Sequence, residues 1–153
     1  MQGIFLGNAA PLAVDCVLWS ETAMGLVLIA GGVLARHRRY RAHACCQSAV
    51  VLLNLPLVAL FMVPSFWRGV APGLFVHLGR SYYALATAHA VLGFGAELLG
   101  LYLLLAAGTN LLPRRLRLVR YKLWMRSALA LWWLVLLLGL ATYARWYGLR
   151  SGA

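Results

Sequence analysis

Residues 81–107 read SYYALATAHAVLGFGAELLGLYLLLAA, with a single acid, Glu97, and a single histidine, His89. Crossing the hydrocarbon core of a bilayer takes roughly 20 apolar residues in a helix. This stretch exceeds that length and contains no proline. Its apolar character is continuous, not alternating, so it does not fit the ten-residue, two-faced strand of a membrane barrel. The reading of this block as a membrane-spanning helix sets the reading of the rest of the chain.

Three further apolar blocks flank it, at about 12–35, 44–63 and 123–147. Together they predict an all-α fold: a single integral membrane domain over residues 1–153, built as a four-transmembrane-helix bundle. Composition agrees. The 153 residues are 63% hydrophobic, with a mean hydropathy of +0.81, whereas soluble domains run at about 45–50% apolar. The breaks between blocks are well marked. Arg36, Arg38, Arg39 and Arg41 follow the first. Pro64 and Ser65 are expected to end the second, with Trp67 to Gly79 as a mixed loop carrying Gly69, Pro72, Gly73 and His77. Gly108, Thr109, Asn110 and Pro113 end the third, and Arg114, Arg115, Arg117, Arg120 and Lys122 precede the fourth. Gly148 to Ala153 reads as a short frayed tail. Met1 to Ala10 lacks the basic residues that open a secretory signal, so the first block is expected to be retained as a helix.

Net charge is +11, from 14 Lys+Arg against 3 Asp+Glu. The cations lie between apolar blocks, where they read as topology signals and headgroup contacts and not as a nucleic-acid surface. Four arginines follow the first block, and five basic residues with Arg126 surround the start of the fourth. The other side has Arg68, Arg80, Arg145 and Arg150. The excess of cations on cytoplasmic loops predicts both termini outside, an N-out/C-out arrangement, with Trp67, Tyr82, Tyr83, Trp146 and Tyr147 at the outer interface. The three cysteines make no disulfide framework, since Cys45 and Cys46 are adjacent. They read either as buried small apolar residues or as a soft copper(I) pair.

The least expected feature is that all three acids, Asp15, Glu21 and Glu97, fall in or at the ends of apolar blocks. A carboxylate in hydrocarbon costs at least a few kcal/mol, so such groups face the bundle interior and find partners. At about 1.5 Å per residue, Glu21 lies roughly 13 Å along helix one from its outer end and His89 roughly 12 Å along helix three. These two are at matching depth to pair if their helices touch. Glu97, roughly 15 Å from the inner side, matches Asn54 of helix two. Asn54, before Leu55 and Pro56, also reads as the site of a kink satisfied by neighbouring helices. His89, Gly93, Glu97 and Gly100 recur at spacings of four, four and three, and so share one face, which predicts the buried side of helix three. Leu92, Leu98, Leu99 and Leu103 are expected mostly toward lipid.

Each of these residues has a plain and a functional reading. The His89–Glu97 face is packing glue, or His89 ligates haem or a metal, or Glu97 and Glu21 handle a proton or a quinone headgroup. His43, beside the arginines, is either a solvated interfacial residue or a ligand; His37 and His77 are loop residues. A Gly-rich phosphate loop, His-Glu-x-x-His, Cys-x-x-Cys and Cys-x-x-Cys-His are all absent from the sequence. No catalytic residue and no metal site is therefore assigned, and the chain is not expected to be an enzyme.

Three short segments carry a resemblance. They are Arg39-Tyr40-Arg41-Ala42-His43 at the start of helix two, Arg80-Ser81-Tyr82-Tyr83 leading to Ala88-His89-Ala90 in helix three, and Gly139-Leu140-Ala141-Thr142-Tyr143 in helix four. In their order and spacing, over roughly residues 33 to 147, they resemble the bacterial membrane family called domain of unknown function 420. Its members are linked to haem-copper terminal oxidases, including maturation of a haem-A-containing oxidase, and are often encoded near respiratory genes. The resemblance implies a multi-pass protein of the bacterial inner (plasma) membrane, with subunits of a respiratory complex as partners alongside the lipid bilayer. His43 and His89 match the family's histidines. The family's further histidine near the outer end of helix two is absent here, where the sequence runs Leu60-Phe61-Met62-Val63-Pro64-Ser65-Phe66.

The expected function is a non-enzymatic accessory or assembly protein of a respiratory complex, of haem-copper oxidase type. Small-residue faces would dock a partner, and Glu21, His89 and Glu97, with Asn54 and Asp15, would supply buried polar contacts. The first alternative is a redox subunit holding haem or quinone, with His89 and His43 as candidate cofactor-binding residues. The gap between those histidines, on the order of 15 Å along the membrane normal, opposes a bis-histidine haem within one chain. The second alternative is a small proton-linked transporter.

Overall fold

The computed structural model describes residues 11–109, 113 and 120–147. Arg114, Arg115 and Arg117 of the second basic loop, Asn110, the first ten residues and the tail from Gly148 lie outside the described residues. The chain is all-helical, with no strand among the described residues. Its elements are α1 (Leu12–Arg36), α2 (Tyr40–Leu57), a π-helical stretch (Val58–Met62), α3 (Val63–Gly69), a 3-10 turn (Ala71–Gly73), α4 (Leu74–His77), α5 (Ser81–Gly108) and α6 (Tyr121–Tyr147). Four spans are long and apolar enough to cross a membrane: Leu12–Arg36, Tyr40–His77, Ser81–Gly108 and Tyr121–Tyr147. Their outward faces are apolar. Leu26, Leu60, Trp67, Val91, Phe94 and Leu137 are all more than half exposed, a pattern suited to lipid and costly in water.

The α1–α2 corner is sharp because Arg38 adopts a left-handed conformation, φ 62°. Its amide donates to the Ala35 carbonyl, and the Arg39 amide donates to the Leu34 carbonyl. These two bonds close α1 as a Schellman cap, in the position that glycine usually fills.

The second span departs from expectation. Pro64 and Ser65 do not end it, and most of the stretch from Trp67 to Gly79, expected as a loop, is helical. Pro56 lacks the amide that an α-helix needs and crowds the preceding turn. Beyond it the ladder widens into the π-helical stretch Val58–Met62, which absorbs the mismatch. Pro64 then falls in the first positions of α3, directly after the π-helical stretch, where the register of the ladder is already changing.

Neighbours in sequence are neighbours in space. α1 packs on α2 and α5 on α6, while α1–α6 and α2–α5 contacts close the ring. α1 and α5 therefore stand on a diagonal. The packed core lies toward the α1–α2 corner, where Met24, Leu28 and Val50 meet Leu57, Leu129 and Trp132. Leu103, expected to face lipid, is buried at the α5 face, and Cys45 is exposed and not packed inside. The α5 face itself is as predicted. A Cβ on Gly100 would stand 3.0 Å from Val51 of α2, and one on Gly93 would stand 3.4 Å from Val135 of α6. The glycines let both neighbouring helices close on α5.

Candidate functional site

Toward the end of the bundle where α1 begins and α6 ends, the four helices part around an apolar cavity of about 380 Å³, lined from all four spans. α1 contributes Ala13 to Leu28, with Glu21 among them. The second span contributes Asn54 and then Val58 to Val70. α5 contributes Ala86 to Ala96, including His89, and α6 contributes Trp132 to Tyr147. The cavity follows from the part of the second span beyond the π-helical stretch, which packs extensively only on its own chain neighbours. The bundle is closed toward the α1–α2 corner and opens toward the opposite end.

Three polar arrangements sit in or beside this cavity. The first joins Asn54 and Glu97, 7% and 5% exposed. Asn54 Nδ2 donates to Glu97 Oε2 at 2.8 Å, the bond that equal depth predicts. Glu97 Oε1 and Asn54 Oδ1 have no hydrogen-bond partner. The second is near the start of α1 and the end of α6. Asp15 is 1% exposed, and the Tyr143 hydroxyl donates to its Oδ1 at 2.5 Å.

The third is His89, whose Nδ1 lies 3.0 Å from the Val135 carbonyl of α6. A carbonyl only accepts, so Nδ1 carries the proton and Nε2 of the neutral ring carries a lone pair. The imidazole fits because α6 has glycine at 139; a Cβ there would stand 3.0 Å from His89 Cε1. Glu21 makes no hydrogen bond with His89, although the two were placed at equal depth. Depth is matched: Asp15 meets Tyr143 and Gly25 meets Leu136, so Glu21, between them, comes level with Gly139, where His89 packs. The helices, however, stand on the diagonal of the ring, and the cavity lies between them. Glu21 Oε1 is buried without a hydrogen-bond partner, and its carboxyl is within electrostatic range of that of Glu97.

His43 is not part of this site. Its Nδ1 lies 2.8 Å from the Gly31 carbonyl at the α1–α2 corner, and it is absent from the cavity lining. The same carbonyl argument gives it a protonated Nδ1. His43 acts there as a bolt between two helices and is only part-exposed. Among the described residues no group of three His, Cys, Asp or Glu side chains could hold a metal ion.

Aromatic rings cluster where α5 begins and α6 ends. Tyr82 stacks on Trp146 with ring centroids 4.7 Å apart, Tyr143 lies 5.4 Å from Tyr147, and Arg145 Nε donates to Ser81 Oγ at 3.1 Å. Tyr82, Trp146 and Tyr147, expected at an outer aromatic belt, gather at one end of the bundle, while Tyr143, the partner of Asp15, is not singled out by the count of depth. A tyrosine at matching outer depth was the available signal. The Val135 carbonyl gives no signal in sequence, because every residue has one. No family model, no curated protein and no solved structure matches the chain.

Proposed function

We propose that this chain is a four-span protein of the bacterial plasma membrane, with both termini outside. We read it as a non-enzymatic accessory factor of a respiratory complex of haem-copper oxidase type. The observation that supports this reading best is the lipid-side cavity with a buried polar floor of Glu21, Asn54 and His89. Buried polar groups in hydrocarbon are costly and mark function more often than packing. A helix pair that left them unpartnered for stability alone would gain nothing. The respiratory link comes from the resemblance of residues 33 to 147 to the domain of unknown function 420 family, and the topology from the cation-rich loops.

The test is purification from the native membrane in mild detergent, with identification of co-purifying proteins and an optical spectrum of the same sample. A colourless protein that brings oxidase subunits with it supports the accessory role. Purification free of every respiratory subunit, under conditions that keep the oxidase intact, refutes it.

One observation favours a second reading, a redox subunit. His89 lines the cavity, its Nε2 carries a lone pair, and a neutral imidazole nitrogen is the usual axial ligand of haem. The residues present do not fit a bis-histidine haem in one chain. His89 is the single histidine of the cavity lining, and His43 is held at the α1–α2 corner. A stoichiometric, dithionite-reducible haem band lost in His89→Ala would establish ligation completed by a partner subunit and replace the accessory reading.

A further inference from the structure

The polar floor of the cavity has a direction. Asn54, a residue of the cavity lining, donates an amide hydrogen to Glu97 and leaves Oδ1 buried without a partner. His89 has spent its one N–H on Val135. Glu21 Oε1 is buried without a partner. Asn54 Oδ1 and His89 Nε2 are fixed as acceptors by bonds already made on their other side, while Glu21 is an acceptor only as the carboxylate. Buried acceptors in hydrocarbon are satisfied only by a donor that arrives there. The walls around them are apolar and aromatic, with Phe61, Phe66, Trp132 and Trp133 among them. Phe61, Val63 and Trp67 of the second span line the cavity and are also exposed on the outside of the bundle, an apolar side along which a long tail can leave.

We infer that the cavity binds the hydroxylated, reduced form of a lipid-soluble quinone, with the ring hydroxyls donating to Glu21, Asn54 Oδ1 or His89 Nε2 and the tail leaving past Val58–Val70. The oxidised ring presents only carbonyl acceptors, which meet the fixed acceptors of Asn54 and His89 without a hydrogen between them. The site thus discriminates by redox state of the ligand without taking part in electron transfer. This inference rests on the reading of the chain as a membrane protein whose cavity faces lipid, and it names the ligand class of that same site. It does not depend on which complex the protein accompanies.

The experiment is titration of the purified protein in nanodiscs with decylubiquinol under reducing conditions and with decylubiquinone under oxidising ones. The readout is quenching of the cavity tryptophans, Trp132 and Trp133. The quinol is expected to bind about tenfold tighter, the equivalent of one to two net hydrogen bonds. His89→Phe is expected to lose most of that preference. Ala90→Trp, which fills the cavity wall, is expected to lose binding of both forms; far-UV circular dichroism and thermal unfolding establish that each variant folds. Equal or tighter binding of the quinone overturns the inference, as does a quinol preference untouched by His89→Phe or the absence of saturable binding. Tighter binding of tetraphenylphosphonium than of the quinol would also overturn it, assigning the site to lipophilic cations. Oxidase subunits that co-purify with a protein blind to both quinone forms would refute this inference and leave the accessory reading standing. Quinol preference without any respiratory partner would do the reverse.

Discussion

The Asn54–Glu97 bond ties α2 to α5 inside the bundle, and its strength can be isolated by a double-mutant cycle. In Asn54→Leu the apolar replacement is close in volume, so the main loss is electronic. Glu97 Oε2 loses its donor at 2.8 Å while Oε1 already has none, leaving a carboxyl that is 5% exposed with no partner at all. Side-chain hydrogen bonds between membrane helices average about 0.6 kcal/mol and reach about 1.7. Orphaning the remaining partner adds a further cost of about 1–3 kcal/mol, reduced here because the unfolded reference also lies in the membrane. Each single substitution, Asn54→Leu or Glu97→Leu, is therefore expected to cost about 1.5 kcal/mol. The double variant removes both polar groups and leaves nothing orphaned, so it is expected to lose only about 1 kcal/mol through imperfect packing near Gly100 and Val51. The sum of the singles then exceeds the double by about 2 kcal/mol, the coupling energy of the pair. Reversible unfolding in mixed micelles, followed by tryptophan fluorescence, measures all four corners. A double variant that loses the sum of the singles to within about 0.5 kcal/mol would show that the two residues do not interact, and the assignment of the buried face would fail.

Tyr143→Phe removes the hydroxyl that donates to Asp15, which is 1% exposed, and is expected to cost about 1–2 kcal/mol in the same unfolding assay. A loss under about 0.3 kcal/mol would argue against that bond. Gly139→Leu drives a side chain into His89, since even a Cβ there would stand 3.0 Å from Cε1; overpacking of this kind costs about 1–3 kcal/mol. In that variant the His89–Val135 bond should also be lost, visible as a changed imidazole ¹⁵N shift. Arg38→Gly relieves a left-handed residue, φ 62°, and is expected to raise stability by up to about 1 kcal/mol. For topology, Arg38→Cys in a background with Cys16, Cys45 and Cys46 changed to serine is expected to react with a membrane-impermeant maleimide only in inside-out vesicles. Labelling in intact cells would reverse the orientation.

What sequence made legible, and what it did not, follows from which variable each residue encodes. Position along a helix is one-dimensional and is counted directly. His89, Gly93, Glu97 and Gly100 therefore fall on one stripe, and Asn54 and Glu97 share a depth that becomes a bond. Azimuth around the bundle is not counted in this way. Glu21 and His89 share a depth as well, yet α1 and α5 stand on a diagonal, and a cavity takes the place of the pair. The same limit explains Leu103, which turns inward against expectation.

The prolines mislead for a different reason. Pro56 and Pro64 each remove a donor, but whether the chain stops or widens its ladder depends on the cost of ending a helix inside hydrocarbon. An ended helix there would leave several backbone groups unsatisfied, each costing several kcal/mol. One π-helical stretch at Val58–Met62 loses far less. Continuation of the helix is the outcome that a membrane selects and that water would not. The splay which that stretch gives to the outer half of the second span is also what opens the cavity. The cavity is thus a consequence of proline placement read in the right solvent, and a change that straightens this span should close it. Pro56→Ala restores the missing amide and with it an uninterrupted α-ladder. If the π-helical stretch is the cause of the splay, this variant should be more stable and should lose ligand binding together with cavity volume. A variant that gains stability and keeps its binding would separate the cavity from the proline and place the cause of the splay elsewhere.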